Sequence, residues 1–146
     1  MKGLTFSALL GVLSLSMSAT ALVAAPVAAQ STQSSSDSVY LNQLYRFLQS
    51  EDPITHAMAT QAMSPEDSVW AAQMFCRTFA AGVSPADAFS LYTSSAISEA
   101  TSQGVHLTEE MAYAVGLYGG AVMNLGSAHY CPQYQPDVEQ ALQSML

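Results

Sequence analysis

The chain has 146 residues, half of them apolar, and a formal charge of −8 from three Lys or Arg against eleven Asp or Glu. That length suits a single domain with a real core. With no cluster of Lys and Arg to displace counterions, nucleic acid is excluded as a partner, and an anionic membrane surface is disfavoured for the same reason.

Residues 1–29 read as a signal peptide. Lys2 supplies a positive start, Leu4 to Val23 is apolar and free of acids, and Val27-Ala28-Ala29 makes a small-residue cleavage site before Gln30. The alternative is a retained anchor, because the apolar run is long. No cysteine follows the run, so no lipid attachment point is present. Cleavage would leave Arg46 and Arg77 as the only fixed cations. Residues 30–38, Gln-Ser-Thr-Gln-Ser-Ser-Ser-Asp-Ser, read as a flexible polar linker, and 39–146 as the folded domain.

One kind of punctuation then recurs. Ser64-Pro65-Glu66-Asp67, Ser84-Pro85-Ala86-Asp87, Thr108-Glu109-Glu110 and Gln135-Pro136-Asp137 each have the composition of a helix start. A hydroxyl caps free N–H groups, proline tolerates the first turn, and acids suit the positive helix end. No alternating strand pattern appears. The expectation is an all-α, compact bundle of about four to five helices.

The first helix is expected from about Asp37 to Gln49, with Tyr40, Leu41, Leu44, Tyr45 and Leu48 at helical spacing. Glu51-Asp52-Pro53 stops it, since the residue before proline avoids the α region. Ile54 to Met63 amounts to one or two turns. A second long helix runs from Pro65 to Ala81 and ends at Gly82, a good C-cap residue. Cys76 shares its face with Val69, Ala72, Phe79 and Ala80. A third runs from Pro85 towards Thr101, with Phe89, Tyr92 and Ala96 along one side. A fourth starts after Thr108 and runs to about Ala128. Its apolar stripe is Met111, Val115, Tyr118, Val122 and Leu125, beside a smaller face of Ala112, Gly116, Gly119, Met123 and Ser127. Interior glycine costs about 1 kcal/mol against alanine, so Gly116, Gly119, Gly120 and Gly126 imply close packing. Pro136 opens a last short helix with Val138, Ala141, Leu142 and Met145 inward.

Met111 to Ala128 carries no charge and reaches the span of about 18 residues at which a membrane crossing must be considered. Its glycines, Asn124 and tyrosines lower its hydrophobicity, and no Lys or Arg flanks it. A buried core helix is the better reading, with no stable membrane span after signal cleavage.

Cys76 and Cys131 are the only two cysteines. In an exported chain they form one disulfide, which a crossing at Met111–Ala128 would forbid. Their spacing is wrong for a Cys-x-x-Cys oxidoreductase. A nucleophilic Cys76 beside Arg77, with His106 or His129 as base, has no local support. A metal site from His129, Cys131 and a distant histidine lacks ligand spacing. His56, His106 and His129 form no paired motif. Glu109-Glu110 and Glu66-Asp67 point apart on first turns, so helix-end electrostatics explains them better than acid–base work. No Gly-x-Ser-x-Gly elbow exists, and Gly116-Leu117-Tyr118-Gly119-Gly120 lies within a helix rather than after a strand. Tyr130, Pro132 and Tyr134 pack around the bridge or form an aromatic patch beside it. No catalytic, cofactor-binding or metal residue is nominated; the nominated pair is the disulfide.

Tyr45-Arg46-Phe47-Leu48, then Phe75-Cys76-Arg77-Thr78-Phe79 with Gly82-Val83-Ser84, then Ala121-Val122 leading to Tyr130-Cys131-Pro132-Gln133-Tyr134, resemble the small exported proteins grouped as the domain of unknown function 732. The resemblance spans roughly Val39 to Gln135. It implies a compact helical fold, export and a paired cysteine, and no activity. Leu91 to His106 and the glycine-rich fourth helix have no counterpart in that pattern. The expected role is an exported binding or envelope-associated structural protein in the periplasm, cell envelope or medium. The alternatives are a carrier of a small apolar ligand between helices, lined by Gly116, Tyr118 and Gly119, and a thiol redox sensor.

Overall fold

The computed structural model describes residues 30–145, with side chains from Ser35 onward. The expected signal segment lies outside the described residues. Those residues form six α-helices and no strand: α1 (Gln30–Glu51), α2 (Pro53–Gln61), α3 (Pro65–Ala80), α4 (Pro85–Ser102), α5 (Glu109–Tyr130) and α6 (Gln135–Met145), with a 3-10 turn at Pro132–Tyr134. The all-α expectation holds. The helix count rises to six because Pro53–Gln61 makes a helix of its own.

Three of the four predicted starts act as caps, and the fourth, at Gln135, opens α6 without one. Ser64, Ser84 and Thr108 accept from the N–H groups of Asp67, Asp87 and Met111, and Asp67 closes a capping box on Ser64. Asp52 caps α2, accepting from the N–H and the hydroxyl of Thr55 at 2.8 and 2.6 Å. Those bonds, the hydroxyl's first, hold its carboxyl below the ordinary carboxylate range. The glycine stops act as well. Gly82 and Gly104 have φ of +86° and +76°. Each completes a Schellman closure: Val83 N–H reaches Thr78 O at 3.2 Å and Val105 N–H reaches Ala100 O at 3.0 Å.

α5 is the hub, packing against each of the other five helices. The core it shares with them includes Tyr40, Leu44 and Leu48 of α1, Ala72, Phe75 and Phe79 of α3, and Val138 of α6, all buried. Among the described residues no helix is long and apolar enough to cross a membrane.

Three expectations need correction. The first concerns 30–38, expected as a linker, which the structure shows as the first turns of α1. Serine, threonine and aspartate form helix weakly on their own, but this end is docked: Ser36 Oγ lies 2.8 Å from His129 Nε2 and Tyr130 donates to Asp37 Oδ1 at 2.7 Å. Tertiary contact therefore overrides local propensity. The second concerns α3. Its buried line is Ser68, Ala71, Ala72, Phe75 and Phe79, while Cys76 sits at the border and Ala80 is exposed. The third concerns the outer turns. Met111 and Ala112 in the first turn of α5, and Met145 in the last turn of α6, are exposed.

Candidate functional site

Cys76 and Cys131 are joined, with Cα atoms 5.8 Å apart. The bridge fastens the last turns of α3 to the C-cap of α5, so the nominated pair serves topology. Aromatic rings pack around it. Phe79 meets Tyr134 edge-on at 5.7 Å, and Tyr40 meets Tyr130 at 5.3 Å and His129 at 6.0 Å. Tyr130 and Tyr134 are each half-buried. Of the two readings offered for them, packing around the bridge is the one observed.

A polar seam links α1, α3 and α5. Tyr40 Oη donates to the Ser68 carbonyl at 3.3 Å, and Ser68 Oγ pairs with Tyr118 Oη at 2.8 Å. Burial pushes Tyr40 and Tyr118 well above the ordinary phenol range, and pushes Tyr92 up to about 12. Burial, reinforced by the accepting Asp37 carboxylate, does the same for Tyr130. Such tyrosines stay protonated and are not bases. Ser127 Oγ donates to the Asn124 carbonyl at 2.9 Å and to Gln135 Oε1, while Gln135 Nε2 donates to Asn124 Oδ1 at 2.8 Å. Among the described residues no buried side-chain N or O lacks a partner.

The three histidines do not converge. His129 is bonded to Ser36, His56 stands beside Tyr45, and His106 is exposed. Among the described residues no group of three or more His, Cys, Asp or Glu could hold a metal. Ser36 and His129 have the distance of a nucleophile and its base. Ser36 nevertheless lies within a helix, where neighbouring N–H groups are committed to i−4 carbonyls. An acyl-transfer site needs such donors aimed at the reacting oxygen.

The place with chemistry to offer is a cleft outside the seam. It holds about 490 Å³ and is lined by Asp37, Ser38 and Leu41 of α1 and Pro65, Glu66, Val69, Trp70 and Gln73 of α3. Its origin is helical periodicity. Tyr40 and Ser68 turn into the core, so Leu41 and Val69, one residue on, fall at the seam's outer edge and are half-buried. Trp70, one residue further, stands clear of the core with 60 % of its surface exposed. It is the only tryptophan in the chain. Asp37 is held in place by Tyr130, and Glu66 sits on the first turn of α3. Neither Arg46 nor Arg77 lines the cleft.

A second cleft of about 410 Å³ is lined by Asp52, Ile54, Glu109, Glu110 and Tyr113. The glycine face gives less room than its composition suggests. A Cβ on Gly119 would lie 2.7 Å from the Tyr92 ring, and one on Gly126 would lie 2.6 Å from Ala72 Cβ. Two of the interior glycines therefore let helices touch, and the space above Gly119 is filled by Tyr92. Gly116 has open space beside it.

Periodicity alone could have drawn attention to Trp70, which lies off the α3 core stripe, where a large aromatic has no packing role. Comparison with family models, with curated proteins and with solved structures finds no match to this chain.

Proposed function

We propose that this protein is an exported, disulfide-fastened helical binding module that docks another molecule in the cleft between α1 and α3. The observation that carries the proposal is Trp70: a lone indole, 60 % exposed, beside half-buried Leu41 and Val69. Indole on a partly apolar floor is the side chain most enriched at energetically dominant contacts. The cleft is held by anchored helices, so little ordering cost falls on binding.

Export rests on the Lys2 start, the Leu4–Val23 run and the Val27-Ala28-Ala29 site, together with a bridge of a kind that persists in oxidising compartments. Membership of the domain of unknown function 732 is part of the same proposal and rests on the Tyr-Cys-Pro and Gly-Val-Ser elements. N-terminal sequencing of the protein recovered from outside the cytoplasm is expected to begin at Gln30. An intact Met1 on that protein would defeat the cleaved-signal reading.

The docking reading is tested by placing a photo-crosslinking benzophenone residue at position 70 and, separately, at exposed Leu91 on α4 in cells that make the protein. A discrete adduct at position 70 that is absent at 91 is expected, and Leu41→Asp should remove it. Equal labelling at both positions, or no adduct at 70, would reject the cleft as a docking site.

A further inference from the structure

The chemistry of the cleft narrows what it takes. Among the described residues its two ionisable lining side chains are both acids, Asp37 and Glu66, and they stand with an exposed indole and the apolar Leu41, Val69 and Pro65. A carboxylate beside an aromatic face attracts a guanidinium or ammonium from two directions, by charge and by the ring quadrupole. Leu41 and Val69 offer contact to the methylene stem of such a side chain or to an apolar neighbour. The surrounding field has the same sign. Eleven acids oppose two arginines among residues 30–146, and the second cleft is also lined by carboxylates beside an exposed aromatic, Tyr113. That field repels a second copy of this chain and draws cationic partners from a distance.

Resting on the docking reading above, we infer that the occupant of the α1–α3 cleft is a basic segment of another protein, with arginine or lysine interleaved with apolar side chains. The basic side chain sits over Trp70 between Asp37 and Glu66. The apolar residues beside it cover Leu41 and Val69. Arginine is favoured over lysine because its planar guanidinium both stacks on the indole and forks onto a carboxylate.

The single tryptophan makes the test direct, since its emission reports this cleft alone. The full protein is titrated with three tryptophan-free synthetic peptides of one length: leucines interleaved with arginine, with glutamine, or with glutamate. The arginine peptide is expected to shift Trp70 emission saturably and to bind at least about tenfold more tightly than the glutamine peptide. That gap should shrink severalfold from about 0.05 to 0.5 M salt, as screening of exposed charges requires. Glu66→Gln should weaken the arginine peptide severalfold and leave the glutamine peptide unchanged. Glu66 is exposed at a helix start, so the variant is expected to melt with the parent, which circular dichroism checks. Tyr113→Ala, in the other cleft, should change nothing. Equal binding of arginine and glutamine peptides would overturn the basic-segment inference while leaving apolar docking intact. Absence of any saturable response to the arginine peptide would overturn the inference outright. Loss of the Trp70 response in Tyr113→Ala with a full response in Glu66→Gln would separate that response from the acids of this cleft and equally overturn the inference.

Discussion

Gly126 and Gly116 sit on one helix and do different work. A methyl group at Gly126 would meet Ala72 Cβ at 2.6 Å and Ala72 Cα at 3.1 Å, on a backbone that cannot swing aside. Gly126→Ala is therefore expected to lower stability by about 1–3 kcal/mol through overpacking. Nothing lies within 4 Å of the same group at Gly116. Gly116→Ala is expected to raise stability by up to about 1 kcal/mol, since it removes backbone freedom from the unfolded chain only. Urea midpoints of the two variants, read by circular dichroism, should move in opposite directions. Movement in the same direction would show that α5 is not seated on α3 as described. At this scale the sequence was a partial guide. It showed that interior glycines must have a reason, but which of them touch a neighbour depends on helix rotation. Rotation is decided by Ala72 and Tyr92, residues distant in the chain.

At the scale of elements, the starts and stops were legible because they are local chemistry. Ser64, Ser84, Thr108, Gly82 and Gly104 each act within one turn of themselves. The beginning of α1 was not legible, because Ser36 and Asp37 are secured by His129 and Tyr130, 93 residues away. The cleft was hidden for a related reason: it exists only where α1 and α3 lie side by side. The disulfide belongs to this scale too, as a tie between the ends of α3 and α5. Its sequence separation of 55 implies a chain-entropy contribution of about 4 kcal/mol. That is a large share of the roughly 5–15 kcal/mol typical of a domain. Reduction is expected to lower the urea midpoint sharply. An unchanged midpoint, with the bridge confirmed before reductant is added, would remove its structural role.

The whole molecule carries an alkaline limit. Tyr40, Tyr92 and Tyr118 hold their protons more tightly when folded, and burial is the main cause at each. An unfolded phenol titrates near pH 10, so above that pH the unfolded chain loses protons that the folded chain keeps. The stabilisation is complete below about pH 10 and is lost as pH rises from there through the folded values. Each such group contributes a slope of about 1.4 kcal/mol per pH unit, so three give about 4. Denaturation midpoints should be flat from about pH 7 to 9 and fall steeply between about 10 and 12. Phenolate absorbance should rise together with the loss of helix. Smooth titration of all tyrosines with the fold intact would contradict their burial.

The latch between α1 and the end of α5 also bears on the order in which the molecule can be finished. Translation delivers Ser36 and Asp37 early, whereas His129 and Tyr130 arrive near the close of synthesis. Until then the first helix has neither its hydrogen-bond partners nor the hub it packs on, and its polar leading turns have little reason to coil. Completion of the bundle therefore waits for nearly the whole chain. A nascent polypeptide with such a dependence keeps its first helix unlatched for most of its emergence.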